Sequence, residues 1–398
     1  MTSPSPTAPG EPTPRLPRIF DGPVLIRTIA TALIRLADIR TVTAFTLPYP
    51  DEAQRALDRV VLACLLRQAE PPRSVPDLIA WCRYRSVPDW PLDLPDGLFG
   101  PKDVLLDPEA GLPTQLCHEW ALNTRDSAAD EYDQLVIRSA FQLCRQYGDA
   151  ESYTEFRRLL VNQPVLTTNE MFTLHKDLRL IPVMDLIEQI YDPVPDGYRR
   201  HGTYTACGRC LTLLTPLTDG GWWCERDRCR SLGSPPLGEV HDAEKVGTPL
   251  QLARPLRQFV TGPGRAEVEL AERLMGRRLK LRVEMWPEFD AYDLRVVFPD
   301  DHVWAVEVKD WASPALLGQK ITEVRATQPY DEVFLVVPDY RFRARPDYRD
   351  VYLRHRSPGL AAMPLLTDRE LVATAAKRLT SLPRTRASRQ HAEETHDA

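Results

Sequence analysis

The chain has no apolar run approaching the ~18 residues a membrane helix needs. Its longest candidate, Val60 to Leu66, is the apolar stripe of a segment flanked by charge. The Pro-rich start has no apolar core of the kind a secretory leader carries, so a cytoplasmic protein with no membrane contact is expected. A basic excess is also missing. Fifty Lys and Arg stand against 56 Asp and Glu, a net charge of −6, so any hold on phosphate must come from local charge. Lysine is scarce, 7 residues against 43 arginines, which makes a lysine inside a motif less expected by chance. No internal repeat of fixed period occurs.

What is present is ordinary for globular protein: 43% hydrophobic and 27% charged residues over 398 positions, enough for two or three domains. Residues 1–18 carry six prolines and almost nothing apolar, and 384–398 are polar and charged, so both ends read as disordered tails. Residues 19–195 read as a mainly helical domain. Asp51–Ala69 repeats Leu57, Val60, Val61, Cys64 and Leu65 at helical spacing, with Asp51 as N-cap. Ser127–Tyr147 repeats Leu135, Ile137, Phe141 and Cys144. Asn169–Tyr191 continues the pattern, with Pro182 as a break. No catalytic spacing occurs here; His118 and His175 are lone residues. Pro- and Gly-rich stretches at 192–202 and 232–264 read as linkers.

The eight cysteines divide in two. Cys64, Cys82, Cys117 and Cys144 are scattered through helical patterns and read as buried thiols. Cys207, Cys210, Cys224 and Cys229 form Cys-x2-Cys, a gap of thirteen, then Cys-x4-Cys. Two such knuckles supply the four sulfurs of a closed tetrahedral zinc site, leaving no position for catalysis. A zinc ribbon over 203–232 is expected, turning at Asp219 to Gly221 and held together by its metal. Trp222, Trp223, Arg209, Arg226, Arg228 and Arg230 suit nucleic acid or a protein partner equally.

From residue 255 to 380 the order is helix, three strands, helix, strand. Arg265–Met275 is amphipathic; Leu279–Met285, Asp293–Phe298 and His302–Val308 alternate as strands. Ser313-Pro314 opens a helix to about Ala326, and Val333–Val337 is a buried strand. At the end of the third strand Glu307 and Lys309 share a face, while Val306 and Val308 point to the core. Asp293 begins the neighbouring strand, so its carboxylate and that of Glu307 converge. Two carboxylates with open positions suit Mg²⁺, and Lys309 adds a cation beside the scissile phosphate.

Asp293, thirteen residues, then Glu307-Val308-Lys309, in that order of elements, resembles the PD-(D/E)xK restriction-endonuclease-like superfamily. The resemblance implies an α/β core of αβββαβ order, with Asp293 and Glu307 as Mg²⁺ ligands and Lys309 as the catalytic cation. Many members add a helical Glu near the site, a place that fits Glu267, with Glu269 on the opposite helix face. Tyr292 stands where the motif's Pro would be, and Asp290 rivals Asp293 for the Asp role. The helical first half, the ribbon and the runs Tyr292 to Phe298 and Trp304 to Trp311 together look like the nucleases associated with prokaryotic PIWI-RE proteins. That narrower likeness implies defence against plasmids or phage, with a PIWI-type protein and a DinG-like helicase as partners.

A metal-dependent endonuclease acting on DNA, with RNA left open, is thus the expected function. The alternative is a non-catalytic nucleic-acid-binding or assembly subunit that keeps a nuclease-like fold. Arg341, Arg343, Arg345, Arg349, Arg354 and Arg356 form either a solvated loop or a phosphate-contacting edge.

Overall fold

The computed structural model describes residues 21–37, 39, 49–122 and 128–382, leaving aside the side chains of 128–134. The expected disordered tails, 1–18 and 384–398, lie outside these described residues. The chain is a mixed α/β protein with a helical N-terminal region, and it divides into two compact units, 1–125 and 126–398. Among the described residues, no helix is long and apolar enough to cross a membrane.

In the first unit, α1 (Gly22–Ala37) and α2 (Asp51–Leu66) pack together, joined by α3 (Val75–Tyr84) and α4 (Gln115–Ala121). Helix α1 buries Leu25, Ile26, Ile29 and Leu33, one face of a 3.6-residue period. Helix α2 departs from expectation. Its buried stripe is Ala53, Ala56, Val60, Ala63 and Cys64, while Leu65 stays exposed. Small side chains let the two helix axes approach, so they, and not the leucines, take the contact. Asp51 lies in the first turn after Pro50, facing the helix dipole instead of capping it. Ser74 and Thr114 cap α3 and α4, accepting from Asp77 N and Cys117 N, each at 3.2 Å. Cys64, Cys82 and Cys117 are buried here and outside any disulfide, as Cys144 is in the second unit.

The second unit begins with α5 (Ala128–Gln146) and α6 (Ala150–Asn162). The third helical stretch is broken earlier than expected, after Leu174, and Pro182 lies inside the 3-10 turn that leads into the next helix. The stretch runs as α7 (Thr168–Leu174), the 3-10 turn Leu178–Val183, and α8 (Met184–Ile190). Thr167 and Glu170 close a capping box at the start of α7. Phe156, Leu160, Ile187, Leu256 and Val260 share one core.

Both stretches read as linkers are built into sheets. Strands β1 (Val165–Leu166) and β2 (Tyr191–Pro193) flank β7 (Leu250–Leu252), Pro193 lying on an edge strand where its missing N–H costs no ladder bond. In the cysteine-rich module, β3 (Thr203–Cys207) pairs with β6 (Leu237–Asp242), and β4 (Thr215–Pro216) pairs with β5 (Trp222–Trp223). The β4–β5 hairpin turns at Asp219 to Gly221 as expected, whereas the other partners are too distant in sequence to leave a local signature of strand pairing.

The last third is one five-stranded sheet, ordered β12 (Leu365–Thr367), β11 (Glu332–Val337), β10 (Val303–Val308), β9 (Leu294–Val297), β8 (Arg282–Met285). The β8-β9-β10 half is antiparallel and the β10-β11-β12 half parallel. Alternation sends Phe334 and Val336 to one face, against Leu270 and Leu274 of α9 (Gly262–Met275) and Leu371 of α13 (Asp368–Ser381). Leu335 and Val337 go to the other, against Leu317 of α10 (Pro314–Lys320) and Tyr352 of α12 (Tyr348–His355). Helices on both faces explain why β11 reads as a continuous apolar run.

Candidate active site and metal centre

Turns after β3 and β5 bring the four clustered cysteines together. All four are buried, and their sulfurs lie within 4.8 Å of one another. Cys207 and Cys229 are 3.8 Å apart and Cys210 and Cys224 3.4 Å. Zn–S bonds of about 2.3 Å in a tetrahedron put sulfurs about 3.8 Å apart, so these spacings fit a zinc ion. Cys229 is carried on a short helix, Asp227–Ser231, which accounts for the longer second gap.

The basic residues of this module turn inward. Arg226 is buried, donating to Gln258 O at 3.1 Å and lying 3.5 Å from Asp310. Arg228 pairs with Glu269, Arg230 with Asp227, and Arg209 donates to Cys229 O. Arg341, from α11 (Asp339–Ala344), bridges Asp310 (2.7 Å) and Asp227 (3.1 Å). Arg226 and Arg341 dock the module beside the sheet and Arg228 holds it to α9, while Arg209 and Arg230 brace the module from within. In the later arginine run, Arg345 pairs with Asp347 and Arg349 with Glu370 near the surface.

Asp310 directly follows Lys309, so this docking lies beside a second cluster. Leu294 and Val306 are register partners, which brings Asp293 and Glu307 together on the opposite face. Asp293 Oδ2 accepts from Val308 N at 2.6 Å and from Lys309 Nζ at 2.9 Å. The same ammonium lies 2.5 Å from Glu307 Oε2. Burial opposes the charge on Lys309, but Asp293, Glu307 and Glu267 outweigh it and hold the ammonium well above its ordinary pKa. Burial pushes Glu307 up to about 7, with Lys309 acting against the rise and Asp293 adding to it.

Glu267, on the inner face of α9, accepts from Trp286 Nε1 at 2.5 Å and lies 3.7 Å from Arg157 Nη2. Burial, then the charge of Asp293, pushes it up to about 8. Glu269 faces away, toward Arg228. Asp290 lies 3.3 Å from Arg157 Nε and accepts from Tyr153 OH at 3.4 Å. Its Oδ1 is buried without a hydrogen-bond partner. Glu267, Asp290, Asp293, Lys309, Arg157 and Trp311 help line one cleft of about 340 Å³. Among the described residues only the cysteines gather three or more ligand atoms within 4.8 Å; the acids of the cleft are spread among cations.

A left-handed turn ends at the first of the two candidate aspartates, Asp290. Trp286, Glu288, Phe289 and Asp290 all have φ between 52° and 70°. Each such non-glycine residue costs roughly 1–2 kcal/mol. Glu288 holds the turn by accepting from Thr327 N and Gln328 N, and Phe289 packs edge-on against Phe141 at 5.6 Å. The turn sends Asp290 toward Arg157 and Asp293 toward Lys309. Arg157, Tyr153 and Trp286 had no place in the reading of the motif. The available signal was an arginine beside Phe156 and Leu160 in an apolar helix face.

Residues 264–382 match the family model described as "REase associating with pPIWI_RE", and residues 25–167 match "pPIWI_RE three-gene island domain Y". The chain carries the REase and Y domains of pPIWI_RE systems. The REase domain runs from α9 through α13 and suggests a nuclease role in those systems. The Y domain runs from α1 to β1, so its final helices supply Arg157 to the cleft and Tyr153 to Asp290 behind it. No curated protein and no solved structure matches the chain.

Proposed function

We propose that the chain is a Mg²⁺-dependent endonuclease of a pPIWI_RE defence system, hydrolysing phosphodiesters of invading plasmid or phage DNA. The observation that carries this reading is Lys309 held between Asp293 and Glu307 in a cleft of the REase domain. Asp293 and Glu307 are the residues to hold the ion, and the fit is chemical: hard oxygens, crowded acid and a half-enclosed space. Mg²⁺, when bound, polarises the phosphate and makes a water more acidic. Lys309 is tethered to both acids, so its ammonium stays near the phosphate and offsets the charge that grows as the P–O bond breaks. Glu267 stands behind them as the helical acid, its side chain fixed by Trp286. Zinc on Cys207, Cys210, Cys224 and Cys229 is structural in this reading, and a PIWI-type protein and a DinG-like helicase are the proposed partners.

The test is cleavage of supercoiled, linear and single-stranded DNA and of RNA, with Mg²⁺, Mn²⁺ or EDTA. Metal-dependent cleavage is expected, strongest on DNA. A second reading, a non-catalytic assembly subunit, draws on Lys309 already neutralising both acids. Wild type and Lys309→Ala performing equally in cleavage, or in plasmid restriction with the partners present, would establish that second reading.

A further inference from the structure

Glu267, Asp290 and Asp293 line this cleft together with Arg138, Arg157 and Lys309, and Glu307 lies beside them; Lys309 and Arg157 divide the four acids. Lys309 serves Asp293 and Glu307; Arg157 serves Asp290 and Glu267. The two cations are unlike. Lys309 keeps 28% of its side chain exposed on a flexible stem, so it can withdraw toward an incoming phosphate. Arg157 has 8% exposed and lies over the Trp286 ring, its guanidinium 5.4 Å from the centroid. It keeps its proton at any accessible pH. A divalent ion placed on Asp290 and Glu267 would sit against this fixed positive charge, with little water to screen the repulsion.

We infer that Arg157, brought by the Y domain, is a positioning residue that closes the Asp290–Glu267 pair to divalent cations and so directs the ion to Asp293 and Glu307. This rests on the metal-dependent reading above. Asp290 Oδ1 lies buried without a hydrogen-bond partner while Arg157 lies against Oδ2, so the carboxylate keeps a ligand oxygen beside a fixed positive charge. Remove the guanidinium, and Asp290 and Glu267 become a second oxygen pair facing the same cleft.

The experiment is Mn²⁺ binding to the full chain, followed by the EPR signal of free ion, alongside zinc content, circular dichroism and cleavage. In wild type, Asp293→Asn should weaken Mn²⁺ binding by more than about tenfold and Asp290→Asn by less. Arg157→Gln should take up an additional Mn²⁺ per chain, lost again in Arg157→Gln/Asp290→Asn. Arg157→Lys, which keeps the charge, should bind as wild type does. The inference is overturned if Asp290→Asn weakens wild-type binding as much as Asp293→Asn, or if folded Arg157→Gln binds the wild-type number of ions. Should Arg157→Gln not fold, the two Asn variants still decide. Wild type binding no Mn²⁺ would bring down the metal-dependent reading and the inference with it. Lys309→Ala cleaving like wild type brings down the nuclease reading alone, because the Mn²⁺ pattern stands apart from activity.

Discussion

At the scale of single residues, acids and cations are packed together in and beside the cleft, and two consequences can be measured. Lys309→Ala leaves both carboxylates in place while removing the charge aimed at phosphate. Cleavage should fall about 10²–10³-fold, or 3–4 kcal/mol of transition-state stabilisation. Zinc content and folding should be unchanged. Lys309→Arg should rescue poorly, because a planar fork does not replace a compact ammonium between two acids. The second consequence concerns Glu267, raised from an ordinary 4.5 to about 8 by burial first and by Asp293 second. The folded state then binds this proton more tightly than the unfolded state. Its contribution to stability is fully present below pH 4.5 and is lost as pH rises through about 8. In Mg²⁺-free buffer, the Tm of wild type should therefore drop between pH 5 and pH 8, and Glu267→Gln should flatten that drop. Equal slopes for the two proteins would show that Glu267 titrates normally.

At the scale of elements, the position of α9 matters most, because it brings Glu267 to the sheet. Its first turn passes close to α6. A Cβ on Gly264 would lie 2.3 Å from Val161 Cγ2, and one on Gly262 would lie 2.0 Å from the buried Arg226 guanidinium. These glycines sit in the stretch read as a linker, but close approach, and not flexibility, is what requires them. Gly264→Ala should destabilise the protein by about 1–3 kcal/mol through overpacking, seen as a lower Tm. Gly197→Ala, in open space at an ordinary φ, is the control and should leave Tm nearly unchanged.

At the scale of the whole molecule, the cysteine module is tied to the cleft by a buried chain of charge. Cys224 is followed at once by Glu225, Arg226 and Asp227. Glu225 holds Arg257 at 2.7 Å, Arg226 reaches Asp310, and Asp227 shares Arg341 with Asp310. Asp310 is the neighbour of Lys309. Cys224→Ser should release about one zinc per chain and unfold the module locally, since so small a unit depends on its metal. With the anchors of Asp310 loosened, cleavage should fall together with zinc content. Zinc lost with cleavage intact would show that the module docks without its metal.

The sequence by itself determined whatever is periodic or closely spaced. The four cysteines fall within 23 residues, and their knuckles meet because each is a short turn. Glu307 and Lys309 share a face because strand side chains alternate, and the hairpin to β9 is local enough to put Asp293 beside them. Pro182 kept its stretch in a 3-10 turn ahead of α8, as a residue without an N–H does not sit inside an α-helix. Only the tertiary structure decided what depends on distant partners. Alanines face α1 across α2 because packing selects small side chains where helices come close. Short segments at 191–193, 237–242 and 250–252 became strands because their partners supplied the hydrogen bonds that propensity did not. Arg226 turned inward because Asp310, just after β10, and Gln258 met it there. Arg157, 136 positions before Asp293, reached Asp290 because a left-handed turn, held by Glu288 and Phe289, aimed that acid at it. No local pattern encodes such a contact, since it forms only where the rest of the fold buries both groups and their attraction offsets the cost of taking them out of water.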